Sequence, residues 1–163
     1  MKKLNLTKKN FIFRIFFYIV FSFLLSSCFV NDKKHLNTLN KDKPIALSTF
    51  TILADIAKNV AGDRWIIKSI TKPGAEIHGY QFTPSDLIKA KNVDLIIENG
   101  LGLELWIDKF TATVGNIPKV TLSEGLTPLL IEEDIYAGKP NPHVWMSPVR
   151  TIHYVDKLVT SFS

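Results

Sequence analysis

Between Ile45 and Ser123, short apolar runs alternate with stretches whose apolar residues recur at helical spacing. "IALS", "WIIKSI", "VDLIIEN" and "KVTLS" have the length and branched content of strands. After the first comes "TILADIAKNVAGD", apolar at 52, 53, 56, 57 and 60, with Gly62 as its stop. "TPSDLIKAKN" reads as a short helix. Thr83 is its N-cap, and Pro84 takes the first position, where a missing N–H does no harm. "GLELWIDKFTATVG" is a third amphipathic helix. Parallel strands need long crossover connections, usually helices, so this alternation implies parallel pairing. The expected fold class is α/β, with a single open, mainly parallel sheet flanked by helices. "VDLIIEN" is apolar almost throughout, as a strand covered on both faces would be.

From Glu124 the alternation stops. "EGLTPLLIEEDIYAGKPNPHVWMSP" is long and irregular, and such loops in compact domains are usually functional or disordered. This one has Leu, Ile, Tyr and Trp to pack, which favours an ordered, functional loop. Helical character resumes in "PVRTIHYVDKLVTSF", where Val149, Ile152, Val155, Leu158 and Val159 make one stripe. His153 falls beside that stripe and is expected to be partly exposed.

The chain's net charge of +5 comes from one end. Residues 1–27 hold Lys2, Lys3, Lys8, Lys9 and Arg14 and no acid; the remainder is formally neutral. No basic patch is implied, and a nucleic-acid partner has no support. "MKKLNLTKKNFIFR" is a cationic leader, and "IFFYIVFSFLL" matches the apolar region of a signal peptide. That run is shorter than the roughly 20 apolar residues of a membrane span. An uncleaved signal anchor is the alternative. The run ends in "LSSC", which resembles the bacterial lipobox, in which the thiol is lipidated. Cys28 is the only cysteine, so no internal disulfide is possible. "FVNDKKHLNTLNKDK" has no apolar face and reads as a tether, with His35 a solvated linker residue. The expected organisation is a signal peptide over 1–27, a tether over 28–43, an α/β lobe over 44–147 and a further helix over 148–163.

Two histidines sit in unusual surroundings. His78 lies in "KPGAEIHGYQFTPSD" and His143 in "GKPNPHVWMSP". Both loops are stiffened by proline and carry an aromatic residue nearby. His78 follows the carboxyl end of "WIIKSI", the edge where open α/β sheets bind ligands, and His143 could approach the same edge. Stiff loops lose less entropy when ligands are fixed. Neutral imidazole suits Zn, Fe and related ions. The bland alternative is a pair of hydrogen-bonding loop residues. Two ligands are also too few, since divalent transition metals take four to six donors. Glu76, Asp86, Glu98 and Glu104 are the nearby carboxylates, with Glu104 expected to be solvated on its helix face. "ENGLG" invites a dinucleotide reading, but that fingerprint needs glycine where Leu105 stands. No phosphate loop, nucleophile elbow, HExxH or CxxC occurs. A metallohydrolase built on the two histidines would lack a residue placed as general base, so enzymatic activity is not expected.

The lipobox, "STFTILADIAKNVAGDRW", "PGAEIHGYQFTPSDLIKAKNVDLIIENGLGLELWIDKF" and "GKPNPHVWMSP" together resemble the cluster A-I metal-binding lipoproteins. These are the solute-binding components of manganese, iron and zinc ABC importers. The forms "PGAEIHGYQ" and "NPHVWMSP" look closest to the manganese and chelated-iron subgroup. The zinc subgroup's histidine-rich loop has no counterpart between Ile131 and Asn141. The resemblance implies that His78 and His143 are two of the metal ligands. It implies Mn²⁺ or Fe²⁺ as transported ligand, with Zn²⁺ the alternative, and an ABC permease with its ATPase as partners. It implies an exported bacterial lipoprotein, periplasmic or at the cell surface, anchored through Cys28. In that family two α/β lobes are joined by one long helix, and the second lobe supplies the other ligands. By that comparison this chain is the first lobe, and residues 148–163 are the start of the connecting helix. A lipid-anchored surface protein or remnant without transport activity is the alternative.

Overall fold

The computed structural model describes residues 43–163. The expected signal peptide, Cys28 and all of the tether but Lys43 lie outside the described residues. Four strands, β1 (Ile45–Ser48), β2 (Ile66–Ser69), β3 (Leu95–Glu98) and β4 (Lys119–Thr121), form one parallel sheet in the order β2-β1-β3-β4. The crossovers carry α1 (Thr51–Ala61), α2 (Pro84–Lys89) and α3 (Ile107–Val114), and α4 (Pro148–Phe162) follows the long loop. The register pairs Ser48 with Ser69 and with Ile97, and Ile97 with Val120. The carboxyl ends therefore lie level, and the segments after the four strands leave from one edge. The chain leaves β1 toward β2 and later crosses back to β3, so the topological switch point lies between β1 and β3.

Alternate residues face opposite sides of a strand, and the sheet uses both sides. Ala46, Leu95 and Ile97 join Phe50, Leu53, Ala57, Tyr154, Leu158 and Phe162 on one face. Leu47 and Ile96 join Ile70, Trp106, Ile107 and Phe110 on the other. All four residues of β3 are buried, as its unbroken apolar run implied. Leu47 is wholly buried; Leu47→Ala would cost about 2–5 kcal/mol in lost transfer energy and cavity formation.

Two expectations need correction. The apolar stripe on α4 divides. Tyr154, Leu158 and Phe162, at helical spacing, turn inward against α1, and the Phe162 ring meets Trp65 at 4.9 Å. Val149, Ile152 and Val159 face outward, 50–77% exposed. Leu158 is the member of the expected stripe that is buried, because the inward face is set by the two aromatics, which bury the most area. α3 also starts later than its sequence suggested, at Ile107 instead of near Gly102. Gly100, Leu101 and Gly102 all have positive φ, which breaks the helix. A Cβ at Gly100 would collide with Thr121 Cγ2 and lie 2.6 Å from Ser123 Oγ. The glycine of "ENG" thus serves close chain packing beside β4.

Candidate metal centre

His78 follows β2 and lies in a turn built around Glu76. Glu76 Oε1 accepts the His78 N–H at 2.9 Å, and Oε2 accepts the Gly79 N–H at 2.7 Å. These two N–H groups, Gly79's first, hold the carboxyl below its usual range. The turn is docked from below. The Trp106 indole N–H donates to the Ile77 carbonyl at 3.0 Å, and the Tyr80 ring lies 5.2 Å from the Trp106 ring. The Tyr80 hydroxyl donates to Asp86 Oδ2 at 2.9 Å. Burial, and then that carboxylate, pushes the Tyr80 phenol up to about 12. Asp86 also accepts from the Thr83 N–H at 2.9 Å and from Lys89 at 2.9 Å, closing the capping box of α2. Burial alone would raise the Asp86 pKa; the hydrogen bonds outweigh it and hold the carboxyl at about 2.

His143 is held differently. Asn141 Oδ1 accepts the His143 N–H at 3.0 Å and lies 2.9 Å from its Nδ1. An amide oxygen is only an acceptor, so Nδ1 carries the proton and Nε2 keeps its lone pair. That is the tautomer a metal ligand needs. The Trp145 ring lies 5.3 Å from the imidazole and 4.9 Å from Phe50 in the core. Desolvation, and then the nearby His78, moves the His143 pKa below its ordinary value, which favours the neutral, ligating form.

The two rings stand 5.5 Å apart, centroid to centroid, tilted by 56°, and both residues are exposed. A zinc ion sits about 2.0–2.1 Å from an imidazole nitrogen, so two rings sharing one ion stand roughly 5–6 Å apart. The spacing suits a shared ion. A cavity of about 280 Å³ adjoins His143, lined also by Leu129, Met146 and Arg150.

The carboxylates suggested by the sequence are engaged elsewhere. Glu76 holds its turn and Asp86 caps α2. Glu98 pairs with Lys119 at 3.0 Å and accepts from the Thr121 hydroxyl at 2.5 Å. Glu104, expected to be solvated, is 4% exposed. It lies before α3 and turns inward, accepting the Thr49 hydroxyl at 2.7 Å and the N–H groups of Asn99 and Gly100 at 2.8 and 3.2 Å. Its burial raises its pKa despite those bonds. Among the described residues, no group of three or more His, Cys, Asp or Glu is placed to hold a metal ion. His153 is half-buried and hydrogen-bonds the Glu124 carbonyl at 2.9 Å, apart from the pair.

Sequence reasoning missed Asn141, Asn99 and Trp106. The spacing Asn-x-His carried a usable signal for Asn141, since an asparagine side chain readily bonds backbone two residues on. Asn99 stood out only as part of the "ENGLG" glycine pattern, and nothing in the sequence marked Trp106.

The fold is a parallel α/β sheet with two histidine loops at its carboxyl edge, the edge where open sheets of this class bind ligands. Residues 47–163 match ZnuA, the periplasmic zinc-uptake complex component A family. The chain belongs to this family. The iron-binding protein YfeA of Yersinia pestis is 44% identical over 144 residues, 88% of this chain and 46% of the relative. The manganese ABC transporter substrate-binding lipoprotein PsaA of Streptococcus pneumoniae is 36% identical over 129 residues, 73% of this chain and 41% of the relative. The Mn-bound periplasmic metal-binding protein of Candidatus Liberibacter asiaticus superposes with a TM-score of 0.65 at 34% identity, covering 74% of this chain and 46% of that one. The chain therefore spans about half the length of the relatives it matches.

Proposed function

We propose that this lobe captures a divalent transition metal between His78 and His143, as part of the substrate-binding component of an ABC metal importer. The observation that carries the reading is the 5.5 Å approach of the two rings, with His143 Nε2 left free by Asn141. The role is capture and delivery, with no catalytic step. The metal is Mn²⁺ or Fe²⁺, with Zn²⁺ the alternative, and it passes to a membrane permease driven by an ATPase. Residues 1–27 are a signal peptide and 28–43 a tether lipidated at Cys28. Residues 44–147 are the binding lobe, and 148–163 begin a connecting helix. The protein is exported and works in the periplasm or at the cell surface, on the membrane.

Two imidazoles alone follow the ordinary affinity order, so this chain prefers Cu²⁺ and Zn²⁺ to Mn²⁺. Manganese selectivity would then require oxygen donors in addition to the two imidazoles. X-ray absorption at the zinc edge tests the site. The loaded chain shows two imidazole ligands and the His78→Ala variant shows one. An unchanged ligand count in that variant would place the metal elsewhere.

A further inference from the structure

We propose that Asn99 is the positioning residue of the His143 loop and that it sets where His143 stands relative to His78. The inference rests on the metal-binding reading above. Asn99 follows β3 at the switch point and is wholly buried. Its Nδ2 donates to the Pro142 carbonyl at 2.9 Å and to the Gly100 carbonyl at 2.9 Å. Its Oδ1 accepts the hydroxyl of Tyr154, itself fully buried on α4. The amide has one possible orientation. Flipped, it would set its oxygen against two carbonyl oxygens, neither of which can donate. Its main chain is held as well, by Glu104 through the N–H at 2.8 Å and by the Ser123 N–H on its carbonyl at 3.1 Å.

Pro142 immediately precedes His143, so Asn99 grips the backbone one residue before the imidazole. Trp106 does the same for the other loop, through the carbonyl of Ile77, one residue before His78. The two donors lie seven positions apart on the one connection between β3 and α3. A single segment, anchored in the sheet, holds both histidine loops by equivalent atoms. The loops approach one another from distant parts of the sequence, and no other described hydrogen bond of the sheet reaches the Pro142 carbonyl. That carbonyl also accepts the Val144 N–H at 2.9 Å, a bond within the loop that does not fix the loop to the sheet.

Asn99→Ala breaks the link and also orphans the buried Tyr154 hydroxyl, which threatens folding. Asn99→Ala combined with Tyr154→Phe removes both partners and leaves no orphan. The experiment titrates Zn²⁺ alone into the chain and into this double variant by calorimetry, with His143→Ala as control. Imidazole ¹⁵N shifts are followed by NMR. The double variant is expected to stay folded and lose about 10–100-fold in Zn²⁺ affinity, the range for residues that orient ligands. Zn²⁺-induced shifts at His143 should shrink while those at His78 persist. A merely structural asparagine would lower the thermal midpoint without moving either readout. Affinity within about twofold of the parent, with binding abolished in His143→Ala, overturns the positioning role alone. Binding that survives His143→Ala unchanged overturns the metal reading and the positioning role with it.

Discussion

The two histidine loops solve one problem in different ways. The His78 loop is fastened through its backbone, with Glu76 across the turn and Trp106 beneath it. Among the described residues, no hydrogen bond reaches the His78 ring itself. The His143 loop is fastened through backbone and ring together, by Asn99 and Asn141. One imidazole is thus oriented before any ion arrives and the other can still turn. On the proposed metal reading, the fixed ring would receive the ion and the mobile ring would complete the contact. The cost is ordering one side chain on binding, on the order of 0.5–1.5 kcal/mol.

The strongest test of the comparison removes each ring. His143→Ala and His78→Ala should each lower Zn²⁺ affinity by more than about 100-fold, beyond the range for residues that only orient ligands. Calorimetry reads the loss, and a variant that binds like the parent would break the pairing. Next in size is an effect confined to the His78 side. Asp86 has a pKa held near 2 in the folded chain against an ordinary value of 3.8. Its folded-state pKa is depressed, so its stabilisation is present above about pH 4 and is lost as pH falls toward 2. The contribution is about 2 kcal/mol at neutral pH, by the usual conversion of a pKa shift. Denaturant melts of Asp86→Asn against the parent should differ at pH 6 and converge at pH 2; a constant gap would contradict the assignment. Third, Asn141→Ala frees the His143 tautomer and should weaken Zn²⁺ binding by about tenfold with little change in melting temperature. The smallest effect belongs to Glu76→Gln. Its carboxylate is exposed and touches backbone only, so affinity should fall by less than about threefold. A larger loss there than at Asn141 would reverse the comparison.

Much of the fold was legible because its signals are local. Strand-length apolar runs, helical spacing and the Thr83-Pro84 start are read from a few adjacent residues, and the parallel sheet follows from their alternation. The two histidines stood out for the same reason, in proline-rich loops after strands. What sequence could not supply was the partner across space. Glu104 looked like a surface residue because helical spacing says nothing of the Thr49 hydroxyl and two N–H groups waiting beneath it. Val149, Ile152 and Val159 looked like the stripe that packs, yet Tyr154 and Phe162 decide which way α4 turns. Asn99 was noticed only as part of a glycine pattern, since its contacts lie 43 and 55 residues away.

The central claim is that these 121 described residues hold a two-histidine site and no more of one. Competitive titration of Mn²⁺ and Zn²⁺ into the chain at pH 7 tests it most directly. The account predicts Zn²⁺ bound at the His78–His143 pair and Mn²⁺ weaker by at least about 100-fold, as imidazole donors without carboxylates dictate. Tight, Mn²⁺-selective binding by this chain alone would contradict it.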